Sequence, residues 1–373
     1  MRVGVPKEIK KDEYRVGLTP AAVREYVGHG HQVLVETGLG NGIGETDAHY
    51  RQAGATIVAT AAEIFASAEM IVKVKEPQPQ EWAQLRPAQI LFTYLHLASD
   101  RPQTEGLLAS GATAIAYETV TDPRGGLPLL TPMSEVAGRL SIQAAARCLE
   151  KVMGGSGLLL GGVAGVAPGR VVVIGGGVVG TEAAKMAIGL GAEVTIIDRS
   201  LRRLRELEEL FDGRVRTLYS TGETLEQAVI SADVVVGAVL IPGASAPKLV
   251  TRQMIALMRP GSVVVDVAID QGGCFETSHA TTHSDPVFII DGVVHYCVAN
   301  MPGAVPRTSA YALNHATLPY GLALADRGLA ALGDVPGLRD GLNVYEGKIY
   351  ARAVAESLSL PFAGDEASLA VGR

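Results

Sequence analysis

Residues 171–198 read Val-Val-Val-Ile (171–174), Gly175-Gly176-Gly177-Val178-Val179-Gly180, a run with one apolar face, and Glu193-Val-Thr-Ile-Ile-Asp198. The pattern predicts a strand, a Gly-x-Gly-x-x-Gly turn, a helix and a second strand ending in an acid. Each part has its own job in holding a dinucleotide. Gly175 permits the tight turn, Gly177 lets the backbone approach a pyrophosphate, and Gly180 lets the helix pack close to the strand. The pyrophosphate would rest on free N–H groups where Val178 and Val179 open the helix, at its positive end. The helix carries Ala183, Met186, Ala187 and Leu190 on one face and stops at Gly191. Asp198 falls 18 residues after Gly180, near the roughly 20 expected for a ribose-binding acid. A carboxylate there repels a 2′-phosphate, which favours NAD over NADP. Arg199, Arg202 and Arg203 follow closely and weigh the other way. A purely structural glycine turn and a solvated acid are the competing readings. The agreement of strand, helix and terminal acid favours the dinucleotide site.

At 373 residues the chain suggests two domains, on a prior of roughly 150 residues each. It is 47% apolar and 19% charged, so it can build substantial cores. Its net charge of −7 offers no broad basic surface and argues against nucleic acid as a partner. Cys148, Cys274 and Cys297 lack paired spacing and read as reduced, mostly buried thiols of a cytoplasmic protein. Lys7, Glu8, Lys10, Lys11, Asp12 and Glu13 crowd the N-terminus without an apolar segment, so no signal peptide is expected. The apolar stretch 157–180 resembles a membrane span by hydropathy, but Pro168, Arg170 and many glycines break it. A loop and a buried parallel strand are the better explanation, and no membrane partner is expected.

Before residue 130, candidate strands are Arg2–Val5, Gln32–Glu36, Met70–Val74, Ile90–Tyr94 and Ala112–Tyr117. Thr19-Pro20 reads as an N-cap and first helical residue. Strands alternating with helices imply a parallel sheet covered on both faces. Thr131-Pro132 opens a second helix, with Val136, Leu140, Ala144, Cys148 and Val152 in one stripe, ending at Gly154-Gly155. At about 20 residues it spans about 30 Å, enough to pass between domains. Strands at 171–174, 193–198, 215–218, 233–239, 262–267 and 287–290 then outline a doubly wound nucleotide domain. After Pro302 and Pro306 the pattern turns helical again. The expected architecture is α/β with two Rossmann-like doubly wound domains. Residues 131–306 form the NAD-binding domain, inserted into a discontinuous substrate domain of residues 1–130 and 307–373, with a cleft between.

Candidate substrate residues punctuate this frame. Arg15 follows the first strand and offers a planar fork suited to a carboxylate. Lys75, His96 and Asp270 sit at or just past the ends of predicted strands, where open α/β sheets bind ligands. Each has a bland alternative. On spacing alone Arg15 reads more readily as a solvated charge than as a ligand. Lys75, with Lys73 and Glu76 nearby, reads as an exposed strand end, and a lone histidine is usually structural. No His/Cys cluster has metal-ligand spacing, so no catalytic metal is expected.

With these residues in view, the chain resembles the alanine dehydrogenase/NAD(P) transhydrogenase alpha-subunit family. The matching stretches include Met1-Arg-Val-Gly-Val-Pro-Lys-Glu-Ile-Lys, Glu13-Tyr-Arg-Val-Gly-Leu-Thr-Pro, Val72-Lys-Val-Lys-Glu-Pro and Phe92-Thr-Tyr-Leu-His-Leu-Ala. They continue in Pro132-Met-Ser-Glu-Val-Ala-Gly-Arg, Val267-Ala-Ile-Asp-Gln-Gly-Gly-Cys and Asn300-Met-Pro-Gly-Ala-Val-Pro-Arg-Thr-Ser. The resemblance covers about residues 1–362. It implies NAD-dependent oxidative deamination of L-alanine to pyruvate and ammonium in a homohexamer. It implies that Arg15 and Lys75 bind the substrate carboxylate and keto oxygen, and that His96 and Asp270 are the acid–base pair. Nucleotide contacts follow at Ser134, Asp198, Ser220, Asn300 and Met301. Arg203, where relatives often carry lysine, joins the candidate set with Val239 and Leu240. An imidazole suits proton carriage near neutral pH, which favours His96 as carrier and Asp270 as holder of the amine; the reverse stays open.

Two rivals remain. One is another NAD enzyme: a transhydrogenase subunit needing a membrane-spanning partner, or an opine-type or lysine-forming dehydrogenase needing a larger pocket. The other is a non-catalytic NADH sensor, against which the joint presence of Arg15, Lys75, His96 and Asp270 speaks.

Overall fold

The computed structural model describes residues 1–239 and 246–364. The chain forms two compact units, one of residues 1–133 with those from 305 onward, the other Ser134–Ala304. Strands are numbered along the chain. The first unit holds β1 (Arg2–Val5), β2 (Gln32–Glu36), β3 (Thr56–Val58), β4 (Met70–Val72), β5 (Ile90–Thr93) and β6 (Thr113–Ala116). The second holds β7 (Arg170–Ile174), β8 (Glu193–Asp198), β9 (Val215–Tyr219), β10 (Val234–Gly237), β11 (Val263–Asp266), β12 (Val287–Ile290) and β13 (Val293–Tyr296). β14 (Leu342–Tyr345) and β15 (Lys348–Ile349) return to the first.

The first sheet runs β15-β14-β6-β5-β4-β1-β2-β3, with β6 through β3 mutually parallel. β1 lies between β2 and β4, so the chain winds outward in opposite directions from it. The ends of β1 and β4 therefore flank a topological switch point, where open α/β sheets bind ligands. The second sheet runs β12-β13-β11-β10-β7-β8-β9 and has its switch point between β7 and β10. β10 and β11 are buried at every position. Their unbroken valine runs suit strands covered on both faces. Val172, Ile174, Val235, Val264 and Phe275 belong to the core of that unit, and Ile64, Phe65, Leu91, Leu107 and Val344 to the core of the first.

Both sheets carry antiparallel edges that alternating strands and helices did not suggest. β12 and β13 are joined by Asp291-Gly292, with φ of 50° and 80°. β14 and β15 are joined by Glu346-Gly347, with φ of 47° and 71°. Positive φ at both central residues is the turn that matches strand twist in two-residue hairpins.

The helix Pro20–Gly28 begins as its sequence indicates, with the Thr19 hydroxyl accepting the Ala22 N–H at 3.4 Å. The long helix Pro306–Arg327 fastens the segment before it. Asn314 accepts the Thr19 N–H at 2.7 Å and donates to the Val16 carbonyl at 3.3 Å. The helix opened by Thr131-Pro132 ends at Cys148, and Lys151–Met153 form a separate turn. Thr131 does not cap it; its hydroxyl donates back to the Leu127 carbonyl at 3.0 Å. Among the described residues no helix is long and apolar enough to cross a membrane. The stretch 157–169 forms no helix, and β7 follows it. The three cysteines are free and buried.

Candidate active site

The glycine turn separates cleanly into its parts. Gly175 has φ of +101°, and a Cβ there would lie 2.7 Å from the Ala238 carbonyl oxygen. A Cβ on Gly180 would lie 1.9 Å from the Gly175 oxygen, so the helix Val178–Gly189 starts in contact with the turn. A Cβ on Gly177 meets nothing within 4 Å. The fold itself does not need glycine at 177. The open space stands at a helix N-terminus whose N-cap has no side chain to occupy the first N–H groups, at Val178 and Val179.

Asp198 buttresses this turn. One of its oxygens accepts the Gly176 N–H at 2.7 Å and the other the Ser200 N–H at 2.8 Å. Arg203 reaches the same turn, donating to the Gly176 carbonyl at 2.7 Å and the Thr181 hydroxyl at 2.9 Å, with Glu206 on its remaining edge. Its guanidinium is thus committed to the turn. Arg202 is solvent-facing, at 87% side-chain exposure. Ser220 follows β9 and donates its N–H to the Asp198 carbonyl. Val239 follows β10 beside Gly175, 3.2 Å from where a Cβ would stand. Leu240 lies outside the described residues. Ser134 is half-buried, one helical turn before Gly138. A Cβ on Gly138 would fall 2.3 Å from the Val179 carbonyl oxygen, so this helix packs hard against the start of the next.

Asp270 lies in a short turn after β11, exposed, with both carboxylate oxygens facing the Asn300 N–H at 3.3 and 3.4 Å. Asn300 has φ of +59°, and Met301 after it is buried. The turn is held from below by Asp266 at the end of β11, which accepts the N–H groups of Cys274 and Phe275 at 3.0 and 3.4 Å. Burial pushes the Asp266 carboxyl above its ordinary value, against the pull of those bonds.

In the first unit Arg15 is buried rather than solvated. Its Nε donates to Glu13 at 2.7 Å and Nη2 to the second Glu13 oxygen at 2.5 Å, while Nη1 faces the Met133 sulfur at 3.0 Å. Burial alone would favour the neutral guanidine; Glu13 outweighs it and secures the charge. Lys75, whose alternative reading was an exposed strand end, is buried, and so is Lys73 before it. Fully buried, Lys73 donates to Glu8 at 2.9 Å and Glu81 at 2.8 Å. Burial would lower its pKa, but the two carboxylates hold it above the ordinary lysine value. The other Glu8 oxygen accepts the N–H groups of Val74 and Lys75 at 2.6 and 3.4 Å, fixing the backbone that presents Lys75. The Lys75 ammonium lies 3.5 Å from Glu76, which also pairs with Lys10. Burial pushes the Glu76 carboxyl up, but Lys75 and Lys10 outweigh it and hold it below its ordinary value.

His96 follows β5 in a left-handed conformation, φ 53°. Glu118 accepts its backbone N–H at 2.6 Å and that of Leu95 at 3.2 Å, and lies 3.9 Å from its Nδ1. The ring stacks on Tyr94, centroids 5.8 Å apart and 7° from parallel, and Tyr94 donates to the Leu129 carbonyl. Thr93 donates to the Lys75 carbonyl at 3.1 Å, so the chain segments carrying Lys75 and His96 leave adjacent strands side by side. The supporting acids Glu8, Glu13, Glu81, Glu118 and Asp266 were not singled out from the sequence. Glu13 had a readable signal: in an extended segment residues two apart share a face. Here Glu13 and Arg15 are buried while Tyr14 is exposed.

The family description "Alanine dehydrogenase/PNT, N-terminal domain" matches residues 4–137, and its C-terminal counterpart matches residues 141–352. The chain belongs to the alanine dehydrogenase/PNT family. An alanine dehydrogenase of Halomonas elongata is 59% identical over 363 residues, covering 97% of this chain and 98% of that protein. Within the family, the solved structure of an L-alanine dehydrogenase superposes with TM-score 0.93 at 55% identity, covering 96% of this chain and 99% of the other. The transhydrogenase structure from Sinorhizobium meliloti superposes with TM-score 0.80 at 25% identity, covering 95% and 100%.

Proposed function

We propose that this chain is an NAD-dependent L-alanine dehydrogenase, converting L-alanine and water reversibly to pyruvate and ammonium. The observation that carries the proposal is near-full-length similarity to proteins of that name, together with a glycine turn open at Gly177. The turn fits a dinucleotide: its N–H groups receive a pyrophosphate, and Asp198 at the strand end receives a ribose hydroxyl. Ser134, Ser220, Val239, Asn300 and Met301 complete the proposed nucleotide contacts. Arg203 supports the turn from beneath, which leaves the Asp198 charge to disfavour a 2′-phosphate and select NAD. NAD held there would supply the hydride acceptor for the substrate Cα.

The remaining chemistry belongs to the chain. Lys75 shares its acid, Glu76, with Lys10, which leaves its ammonium available for a substrate carboxylate. Arg15, kept charged by Glu13, supplies the second cation. Together they would hold the substrate carboxylate and so orient its Cα for hydride transfer. His96 takes a proton from the substrate ammonium, so that the nitrogen lone pair drives hydride loss to an iminium. It passes that proton to solvent, takes one from the water that attacks Cα and returns it to the departing nitrogen; it then takes the hydroxyl proton as the carbonyl forms and hands it to the released ammonia to give ammonium. Lys75 stabilises the oxygen as the carbonyl forms. Asp270 is assigned to hold the amine.

The test is NADH formation by the purified protein with NAD and L-alanine, with pyruvate and ammonium counted against NADH. Equal yields specific to L-alanine support the proposal, and His96→Ala should lower turnover by about 10²–10⁴. A second reading, a hydride-transfer subunit without alanine chemistry, draws on the transhydrogenase likeness. It predicts NADH binding with no alanine-dependent turnover.

A further inference from the structure

The first unit brings together a second set of polar side chains. Among the described residues, His29, His31 and Asp326 each place one ligand atom within 4.8 Å of the others. His29 is the C-cap of the helix Pro20–Gly28, and Asp326 is the penultimate residue of the helix Pro306–Arg327. Gly30, with φ of +86°, turns the chain so that the two imidazoles lie 6.4 Å apart, 35° from parallel. His29 Nδ1 stands 3.1 Å from one Asp326 oxygen and His31 Nε2 stands 2.8 Å from the other. The His31 side chain is only 7% exposed, so its inward nitrogen is held in place. Its other nitrogen, Nδ1, faces the Met1 nitrogen at 3.3 Å.

The geometry points to a binding site for a divalent transition metal of the zinc class, formed by His29 Nδ1, His31 Nε2 and an Asp326 oxygen. Tetrahedral zinc with bonds of about 2.0–2.2 Å sets its ligand atoms roughly 3.3–3.6 Å apart. His29 Nδ1 and His31 Nε2 stand 3.3 and 2.8 Å from one and the same Asp326 oxygen, at and below that value, so the ion enters by small outward shifts and displaces the protons the two rings share with Asp326. Two imidazoles and one carboxylate select zinc, nickel or copper over magnesium or calcium. Water takes the fourth position. The spacing of Asp326 from His31, 295 residues, explains why the sequence showed no ligand pattern.

The site is structural. It ties the C-terminal ends of the two helices together, while Asn314 ties the second helix to the start of the first and to the segment following Arg15. Zinc therefore stabilises the fold without entering the reaction.

The experiment is calorimetric titration of zinc chloride into the full-length chain after chelator treatment, with melting curves with and without zinc. The expected result is one equivalent bound by the wild type that is at least about 100-fold weaker in both His29→Ala and Asp326→Asn. The zinc-dependent rise in melting temperature should vanish with it. His29 is largely solvent-facing, 44% exposed at the side chain, so its variant should fold; metal-free turnover with alanine checks this. Equal stoichiometry and affinity in wild type and both variants would overturn the site, since zinc would then sit elsewhere. Loss in only one variant would overturn the three-ligand assignment, and the absence of wild-type binding would overturn the proposal outright.

Discussion

Arg15 shows how a single charge is kept usable out of water. Its side chain is 2% exposed, and Glu13 at 0% takes Nε and Nη2 in a forked pair. Such pairs are strong because both partners are ionised and their geometry is fixed. Glu13→Gln removes the charge but keeps the shape. We expect the KM for L-alanine to rise by about 10–100-fold while the Kd for NADH stays unchanged, measured by steady-state kinetics and fluorescence titration. Unchanged KM would mean that Arg15 does not meet the substrate. At this scale what the sequence made legible was position: Lys75, His96 and Asp270 were expected at or just past strand ends, and each follows a strand, while their roles belong to the proposal. It was not legible at Glu8, Glu81 or Glu118, because an acid that props a neighbouring segment looks like any surface acid until the strands are laid side by side.

At the scale of elements, the three turn glycines separate protein demands from ligand demands. Gly180→Ala drives a Cβ into the Gly175 carbonyl and should destabilise the apoprotein and abolish NADH binding. Gly177→Ala points its Cβ into open space and should leave the apo melting temperature unchanged. We expect it nonetheless to weaken NADH by at least about tenfold, since the methyl occupies the approach to the pyrophosphate. Loss of apo stability in Gly177→Ala would contradict this division. The buried Glu8–Lys73–Glu81 set is the corresponding device beneath β4. Lys73→Met leaves two carboxylates unpaired in the core, and denaturant titration should show a loss of about 3–5 kcal/mol. Elements were readable where apolar period and caps agreed, as at Thr19-Pro20 and the valine strands. The short β3, and the hairpins on Asp291-Gly292 and Glu346-Gly347, escaped because the alternation of strands and helices dominated the reading. Yet Asp-Gly between apolar runs is itself a hairpin signal.

At the scale of the molecule, one unit is continuous in sequence and the other is completed by the returning chain, each with its own sheet and switch point. The insertion was legible from the helices that bracket the glycine domain. The antiparallel edges were not, since they depend on which strand ends are left to pair. Cofactor choice belongs to this scale because it sets the redox pool the enzyme serves. With Arg203 tied to the turn and Asp198 proposed as the ribose ligand, NADH should bind at least about tenfold more tightly than NADPH. Asp198→Ala should narrow that ratio, as competition titrations would show; an unaltered ratio would remove Asp198 from the selection.

The central claim is that a hydride passes directly from the alanine Cα to NAD on this chain. The most direct measurement uses L-alanine deuterated at Cα, with mass spectrometry of the reduced cofactor. Deuterium at C4 of essentially every NADH formed, with one pyruvate and one ammonium per turnover, is the predicted result. NADH free of deuterium, or tight NADH binding with no alanine-dependent reduction, would contradict the account.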